Sequence, residues 1–306
     1  MPLLSLVMPV KDGAAFIEEA VRSVQAQTLR DWELVIVDDH SRDGTVRLVA
    51  ALAASDARVR LVGNPGRGQV QAINHGYGFC RGESLKIMDA DDLLAPAFSD
   101  EFSRLRLVEA SYHDALLFDG RPGGRKRLCI GARFERMGFE QSLRRVKVSP
   151  PRWSWTLARK VGDRVFPLPA DLPSPHEDVY LGLMVKKFAR VEYVPRPLYI
   201  YRQHGGQFYG GLFNFSPSAV GRRAEAMLGI IDFIEKSEVV RDVGDPVGLL
   251  APAKAYYSLL SRESVSWGDI LRARLGVAEK VRAAVIRKAP GAASRLSRLR
   301  AVRKTK

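Results

Sequence analysis

Three carboxylates end an apolar segment abruptly in residues 86–92, whose sequence is KIMDADD. If residues 84–88 form a buried strand, the two-residue period of a strand places Asp89 and Asp91 on the same side at its carboxyl end. Carboxylate oxygens suit Mg²⁺ or Mn²⁺, and a site with one or two carboxylates leaves coordination positions for the oxygens of a substrate diphosphate. The alternative is a polar loop or a helix N-terminus, where acidic residues are common.

A second acidic group, His176-Glu177-Asp178, follows a proline-rich segment at residues 167–175. The apolar residues after it favour a helix that begins here. Acidic residues in a first helical turn commonly complement the helix dipole. The residues alone therefore leave open whether this pair serves the helix or a reaction.

Short apolar runs alternate with helical patterns in the first hundred residues. The runs that predict strands are residues 4–10, 32–37, 59–62 and 84–88. The segments that predict helices are residues 16–24, the stretch after residues 41–44, and residues 69–80. This order is typical of a parallel sheet with helices on its faces, whose ligands bind outside the carboxyl ends of the strands. We expect both Asp38-Asp39 and residues 89–92 to lie at that edge.

An ordered set of motifs then resembles the opening of the family 2 glycosyltransferases. The set comprises LVMPV at 6–10, VQAQT at 24–28, VIVDDHSRDGT at 35–45, Gly68, Gln69, Ala72, Asn74, Gly76, RGE at 81–83 and MDADD at 88–92. Each piece alone is weak, whereas the ordered set is highly specific and covers about the first hundred residues densely. His40 departs from the family, which commonly has glycine at this position.

The resemblance implies an α/β fold of the glycosyltransferase A type, with a mostly parallel central sheet and a C-terminal helical extension. It also implies a nucleoside diphosphate sugar as donor and a divalent metal, Mg²⁺ or Mn²⁺, as cofactor. A carboxylate that accepts from the imide N–H of uracil is chemically reasonable, although it does not establish uracil over another base.

The roles carried over from the family fall on residues at the predicted carboxyl edge. Pro9 and Val10 border the nucleoside, Asp39 bonds the base, Asp38 supports that loop, and Gln69 and Asn74 are assigned to nucleotide-sugar binding. Asp89 and Asp91 form the DxD motif at the ribose and the metal-diphosphate unit. Asp178 is the catalytic base, and Glu177 stands beside it.

The implied chemistry is inversion at the anomeric carbon by direct attack of an acceptor hydroxyl. A carboxylate near that hydroxyl takes its proton, which typically contributes ~10²–10⁴-fold to the rate. A metal neutralises charge on the leaving diphosphate. No covalent enzyme nucleophile is required.

The segment from residue 153 to residue 204 resembles the later part of the family more loosely. His204 is assigned to the diphosphate or metal and Arg202 to a supporting role; the alternative for each is an ordinary polar residue. Trp153 and Trp155 are candidates for a sugar-stacking wall, or for core residues.

Length and composition favour a sizeable core, since the 306 residues are 46% hydrophobic. We predict a catalytic domain at residues 1–210, with a donor half at about 1–110 and an acceptor half at about 111–210. A glycine-rich stretch at 205–211 precedes a helical extension at 211–306, whose predicted helices lie at 224–234, 249–260 and 270–286.

The net charge of +14 is concentrated in part in a basic C-terminal tail. Upstream, Leu271, Leu275, Val281 and Val285 lie among Arg and Lys, which suggests an amphipathic helix on an anionic membrane surface. The alternative is a solvated tail. Nucleic-acid binding has only charge in its favour, and we do not expect it.

No apolar run reaches the roughly 18–20 residues of a spanning helix, and the N-terminus lacks a signal pattern. The two cysteines, Cys80 and Cys129, form no disulfide framework or zinc pattern. We expect a cytoplasmic protein, peripheral on the inner face of the cell membrane.

The sequence thus predicts transfer of sugar from a UDP-sugar to a glycan or lipid-linked acceptor in bacterial polysaccharide or cell-surface glycan synthesis. A noncatalytic nucleotide-sugar-binding or membrane-associated scaffold is the alternative. A nicotinamide-dependent dehydrogenase is disfavoured because GxGxxG is missing after the first strand.

Overall fold

The computed structural model describes residues 1–118, 126–146, 149–173, 175–205, 214–262 and 264–304, with the backbone alone for residues 298–304. After Gly205, the predicted glycine-rich stretch and the domain boundary at residue 210 lie outside the described residues. The two-domain division stays a prediction.

The first half of the chain forms the predicted alternation of strands and helices. Its elements are β1 (Leu4–Val10), α1 (Ile17–Gln25), β2 (Trp32–Asp38), α2 (Thr45–Ser55), β3 (Val59–Gly63), α3 (Gln69–Phe79) and β4 (Ser84–Ile87). The four strands are parallel and lie in the order β4-β1-β2-β3. Strands β1 and β4 are buried throughout because helices cover the sheet, which explains their apolar sequences.

Helix α3 packs very closely on the sheet at Gly76. A Cβ at that position would lie 2.7 Å from Val7 Cγ1 and 2.8 Å from Val37 Cγ2. Only glycine allows this approach, which fixes the helix over β1 and β2. The first residue of α3, Gln69, follows Gly68, whose φ of +85° is in the left-handed region.

The second half of the chain extends the sheet with strands of mixed direction. Its elements are β5 (Leu93–Leu94), α4 (Phe98–Leu105), β6 (Ala110–Phe118), β7 (Lys126–Leu128), α5 (Arg133–Arg136), α6 (Phe139–Arg144), β8 (Trp155–Ala158), α7 (Arg159–Val165), α8 (Glu177–Phe188) and β9 (Val191–Arg202). Strand β8 is antiparallel to β4 and β6, whereas β9 is parallel to β6 and antiparallel to β5. The predicted α/β fold class is confirmed, with the parallel part confined to β1–β4 and the ladder between β6 and β9.

The extension is helical and shares part of its core with the sheet. It comprises α9 (Pro217–Lys236), α10 (Pro246–Ser261), α11 (Trp267–Arg272), α12 (Val277–Lys288), α13 (Pro290–Ala301) and the short strand β10 (Val302–Lys304). Ile230 on α9 and Leu250 on α10 belong to the same buried cluster as Val7 and Trp155. Strand β10 pairs with β7, an addition to the sheet edge that the sequence did not indicate.

The single helix predicted at residues 270–286 is wrong. Helix α11 ends at Arg272, Ala273 is extended, and α12 begins after Gly276. A capping box between Ser266 and Asp269 also fixes the start of α11 at Trp267, which separates this short helix from its neighbours. None of the helices in the described parts of the chain is both long and apolar enough to cross a bilayer.

Candidate active site

The residues that follow β4 bring three carboxylates together at the carboxyl edge of the sheet. One ligand oxygen each from Asp89, Asp91 and Asp92 can lie within 4.8 Å of the others. Asp91 is more exposed than Asp89, with 34% of its side chain exposed against 14%. Its Oδ2 lies 2.9 Å from His204 Nε2. The structure thus brings the two predicted metal residues Asp91 and His204 into contact.

Asp92 points inward and was not assigned a role from the sequence. It is completely buried, and its Oδ1 accepts a hydrogen bond of 2.7 Å from the backbone N–H of Arg202. Burial, together with the charges of Asp91 and Asp89, raises the pKa of Asp92 well above its usual value. Asp92 therefore ties the acidic turn to β9 and leaves its neighbours to face the site.

Arg202 contacts the start of α1. Its Nη2 lies 2.7 Å from Glu19 Oε2, and its guanidinium lies 5.1 Å from the ring centre of Phe16. The ring of Phe16 also packs on His204, with centroids 4.6 Å apart. These contacts hold the end of β9 and the His204 ring against the start of α1.

Asp89 is held from two sides. Its Oδ1 lies 2.8 Å from Arg152 Nη2, and its backbone N–H donates to the hydroxyl of Tyr199 at 2.9 Å. Burial raises the pKa of Asp89, and the charge of Asp91 adds to this, while Arg152 opposes it. Arg152 was missed from the sequence, where it lies in an unremarkable segment, PPRWSW.

The second acidic pair begins α8, as predicted. Glu177 is buried, and its Oε1 accepts from Arg152 Nη1 at 2.9 Å. Burial and the charge of Glu177 raise the pKa of Asp178 to about 7, against the opposing effect of Arg152. Asp178 Oδ1 is inaccessible and has no hydrogen-bond partner among the described residues. A carboxylate with this pKa suits general-base catalysis near neutral pH, which a simple complement to the helix dipole would not need.

The predicted base-binding loop is preorganised around Asp39. Asp39 is 8% exposed, and its Oδ1 accepts from Asn64 Nδ2 at 2.7 Å and from the backbone N–H of Gly68 at 3.0 Å. Its own N–H donates to the carbonyl of Val10. A carboxylate has about four acceptor positions, so these bonds leave capacity for a further donor.

Asp38 and His40 shape the same loop. Asp38 Oδ2 accepts from the N–H of Ser41 at 3.2 Å, in keeping with the predicted support of the loop. His40 has φ of +61°, the left-handed region that favours glycine, and its Nε2 lies 2.7 Å from the carbonyl of Gly66. The position therefore suits the glycine that the family commonly has, and His40 adds a tie to the Gly66 backbone.

The remaining predicted donor-site residues separate into two groups. Pro9 and Val10 end β1 opposite Val37 and Asp38, so they border the loop of Asp38 and Asp39. The amide of Gln69 lies at the acidic pair, where in its best-satisfied orientation it donates to Glu177 and accepts from Arg152.

Asn74 is engaged away from the carboxylates. Its Nδ2 donates to the Leu168 carbonyl and its Oδ1 accepts from the Leu168 N–H, both at 2.7 Å. This pair of bonds anchors the proline-rich segment that leads into α8. The structure does not bring the Asn74 amide to the acidic residues.

The expectation of a sugar-stacking wall is wrong because both tryptophans are buried. Trp153 is 4% and Trp155 is 1% exposed. Trp153 stacks on Tyr199 with centroids 4.8 Å apart, and Trp155 packs on Tyr112 and Phe134. They are core residues, the alternative that the sequence left open.

The cluster fits a hard divalent cation. Asp91 is open, His204 reaches it directly, and Asp89 supplies a further carboxylate. Oxygen-rich sets with an added imidazole suit Mg²⁺ or Mn²⁺. The residues that would hold the ion are thus those predicted from the sequence.

A family model and several curated proteins match the first third of the chain. A family model described as Glycosyl transferase family 2 matches residues 5–101. The O-antigen biosynthesis protein RfbC of Myxococcus xanthus is 37% identical over 98 residues, which are 31% of this chain and 8% of that protein. The chain spans between 8% and 38% of the length of the first curated relatives that it matches.

Two solved structures resemble almost the whole chain. TarS 1-349 of S. aureus, in complex with UDP-GlcNAc, has a TM-score of 0.58 at 13% identity, over 98% of this chain and 92% of that one. The mannosyltransferase PcManGT of Pyrobaculum calidifontis, in complex with GDP-Man and Mn²⁺, has a TM-score of 0.58 at 16% identity, over 97% and 84%. At such identities the likeness establishes the glycosyltransferase A type of fold.

Proposed function

We propose, on the premise that residues 5–101 of this chain belong to glycosyl transferase family 2, that the protein is an inverting glycosyltransferase. It moves a sugar from a nucleoside diphosphate sugar to an acceptor hydroxyl. The observation that carries the proposal is Asp178, which lies in the first turn of α8 and whose pKa is raised to about 7 by burial and by the charge of Glu177. The ion pairs of Arg152 join these two acidic groups in one site.

Asp178 acts as the general base. It takes the proton of the acceptor hydroxyl while that oxygen attacks the anomeric carbon from the face opposite the leaving diphosphate. Burial and the charge of Glu177 keep the pKa of Asp178 high, and Arg152 limits that rise. Because no residue forms a bond to the sugar, inversion follows from a single displacement.

Asp91, Asp89 and His204 would hold the divalent cation. When bound, such an ion stabilises negative charge on a diphosphate leaving group. Asp92 keeps the acidic turn on β9 through the N–H of Arg202, so the turn is positioned in advance. Preorganisation of this kind avoids rearrangement during the reaction.

UDP-sugar is the proposed donor. Asp39 is held by Asn64 and Gly68 at the end of β2, with capacity for one more donor such as the imide N–H of uracil. One structural neighbour was solved with UDP-GlcNAc and another with GDP-Man, so the fold accepts different bases. Binding measurements therefore decide the nucleotide.

Thermal stabilisation tests the donor site. Unfolding temperatures are measured with UDP, GDP, UDP-sugars and GDP-sugars, each with Mn²⁺, Mg²⁺ or EDTA. We expect one nucleotide series to stabilise wild type only with metal, and Asp91→Asn to lose that shift. Asp100→Asn, an exposed acid on α4, is the matched control and should keep it. No shift with any nucleotide would contradict the proposal; stabilisation without any sugar turnover would favour the noncatalytic alternative.

The proposed acceptor is a glycan or lipid-linked glycan of bacterial polysaccharide synthesis. The matching relative RfbC is an O-antigen biosynthesis protein, which supports this class of acceptor. A lipid-linked acceptor lies in a bilayer, so a site close to the membrane surface would reach it. We therefore also propose peripheral attachment at the inner face of the cell membrane.

Two features of the extension support attachment. Residues 264–306 contain twelve Lys and Arg against two Asp and Glu, whereas residues 1–101 contain ten against fifteen. Trp267 and Leu271, one turn apart on α11, are 60% and 67% exposed, and Val277 and Val281 on α12 are 80% and 58% exposed. Basic residues and exposed apolar side chains together favour an anionic bilayer.

Vesicle sedimentation tests this location. We expect wild type to bind vesicles that contain both phosphatidylglycerol and phosphatidylcholine. It should not bind vesicles of phosphatidylcholine alone. Trp267→Glu with Leu271→Glu should weaken binding by about tenfold or more, since apolar burial is lost. Val46→Glu, at an apolar position on α2 that is 43% exposed, should not. Equal binding by all three proteins would overturn the membrane proposal.

A further inference from the structure

Arg152 links the two acidic groups of the site. Its Nη2 lies 2.8 Å from Asp89 Oδ1 and its Nη1 lies 2.9 Å from Glu177 Oε1. Asp89 is 63 residues before Arg152 in sequence and Glu177 is 25 residues after it. One guanidinium thus spans the donor-side motif and the pair that carries the proposed base, and only 17% of its side chain is exposed.

The backbone that carries Arg152 is itself anchored to the strands of the site. The residue begins a short 3₁₀ turn, Arg152–Ser154, after Pro151. The next carbonyl, that of Trp153, accepts from Lys86 Nζ on β4 at 2.7 Å, where Lys86 is fully buried. The Trp153 ring stacks on Tyr199, whose hydroxyl accepts the N–H of Asp89. Arg152 and Asp89 therefore share the same supports.

The fork of a guanidinium suits this task in a way that an ammonium does not. Its terminal nitrogens point to two acceptors at a fixed separation, whereas the single nitrogen of lysine holds one acceptor at a time with a flexible stem. Without the guanidinium, the buried Glu177 and the largely buried Asp89 would have no positive charge between them, and their repulsion would favour separation or protonation.

We propose that Arg152 is a positioning residue that sets the distance between Asp89 and the Glu177-Asp178 pair, and so aligns the base with the donor sugar. The inference rests on the proposed glycosyl transfer. Arg152 acts through the two carboxylates and is not itself in contact with the reacting atoms. Its charge has a second effect, because it opposes the rise of the pKa of Asp178.

The experiment separates geometry from charge with two variants. Arg152→Lys keeps the charge and loses the fork, whereas Arg152→Gln loses both. Arg144→Gln, an exposed arginine on α6, is the control. For each protein, kcat, KM for the donor, the pH profile of kcat, and the Kd for the metal-nucleotide complex are measured, with unfolding temperature as a check of folding.

We expect Arg152→Lys to lower kcat by about 10²-fold, because small displacements of a reacting group have effects of this size. The Kd for the metal-nucleotide complex should change by less than about threefold. Arg152→Gln should also move the acidic limb of kcat to higher pH, since the charge that restrains the pKa of Asp178 is gone. The lysine variant should keep the limb near its wild-type position.

Two results would overturn the inference. If Arg152→Lys has wild-type kcat, the fork is unnecessary. If either variant weakens nucleotide binding as much as it lowers kcat/KM while kcat is unchanged, Arg152 is a donor contact. If Arg152→Gln does not fold, the lysine variant alone decides. If the wild-type protein binds nucleotide but turns over no donor, the proposed function is contradicted. That result is distinct from the two that overturn the role of Arg152.

Discussion

The buried acids at the two edges of the sheet differ in how fully their carboxylate oxygens are hydrogen-bonded. At the amino edge, Glu33 has both oxygens bonded: Oε1 accepts from Ser5 Oγ at 2.6 Å, and Oε2 lies 3.0 Å from Arg60 Nη2. At the carboxyl edge, Asp38, Asp92, Glu177 and Asp178 each have one inaccessible oxygen with no partner among the described residues. A buried carboxylate oxygen without a partner costs stability, so these four acids are the ones that we expect to serve the proposed reaction rather than the fold.

The largest effect should come from Asp178 at the carboxyl edge. Asp178→Asn removes the proposed base, and we expect kcat to fall by ~10²–10⁴-fold. Wild-type kcat should fall below about pH 7 as Asp178 takes up a proton. Asp171→Asn, an exposed acid on the loop before α8, is the control and should have wild-type activity.

The same substitution should not weaken the fold. The pKa of Asp178 rises from 3.8 to about 7 in the folded protein, so its ionisation opposes folding. Stability therefore decreases as pH rises between these values, and Asp178→Asn should remove that part of the dependence. Urea unfolding of both proteins from pH 4 to pH 8 measures it. If Asp178→Asn were less stable than wild type at pH 8, ionised Asp178 would stabilise the fold, contrary to this expectation.

The opposite behaviour is expected at the amino edge. Glu33→Gln replaces an oxygen acceptor with an amide donor facing Ser5, Arg60 and the N–H of Arg81, and should cost about 2–4 kcal/mol of unfolding free energy. Activity per folded molecule should be unchanged. Glu83→Gln, a nearby exposed acid, should cost less than about 0.5 kcal/mol. Loss of kcat in folded Glu33→Gln would show that the two edges are not independent.

Helix α3, which runs between the edges, offers a matched glycine pair. Gly76→Ala places a methyl 2.7 Å from Val7 Cγ1 and should destabilise the protein by about 1–3 kcal/mol, the usual cost of overpacking. Gly78→Ala has open space and should stabilise it by up to about 1 kcal/mol through helix propensity. Denaturant midpoints decide, and a Gly76→Ala variant as stable as Gly78→Ala would mean that α3 can shift on the sheet.

The smallest effect concerns backbone strain at the carboxyl edge. His40→Ala keeps the unfavourable φ and loses the bond to Gly66, so it should be less stable than His40→Gly by about 1 kcal/mol. Both variants lose the imidazole, so the difference between them measures the strain relieved by glycine less the extra entropy that glycine gives the unfolded chain. Equal denaturant midpoints would show that the loop relaxes.

Features encoded by local periodicity were predictable from the sequence. The strands of the first half, the helix that begins at Glu177 and the acidic turn after β4 follow from apolar spacing and from residues that end elements. The family resemblance assigned Asp91 to the metal and His204 to the diphosphate or metal, and the structure places these two side chains in contact. Each of these signals lies within a short segment.

Features that depend on distant parts of the chain were not predictable. Arg152 has no local motif, and its role exists only because β8 brings it between Asp89 and Glu177. The burial of Trp153 depends on Tyr199 in β9, and the pairing of β10 with β7 joins residues far apart in sequence. The break between α11 and α12 was missed because the apolar spacing continues across Gly276 while the backbone does not.

The most direct test compares binding and transfer in the same preparations of wild type and Asp178→Asn. Metal-dependent nucleotide affinity is measured by calorimetry, and donor turnover is followed by release of nucleoside diphosphate with and without a glycan acceptor. The account predicts that both proteins bind the nucleotide with similar Kd and that only wild type turns the donor over. Turnover by Asp178→Asn at the wild-type rate would contradict the assignment of the two acidic groups to one catalytic site.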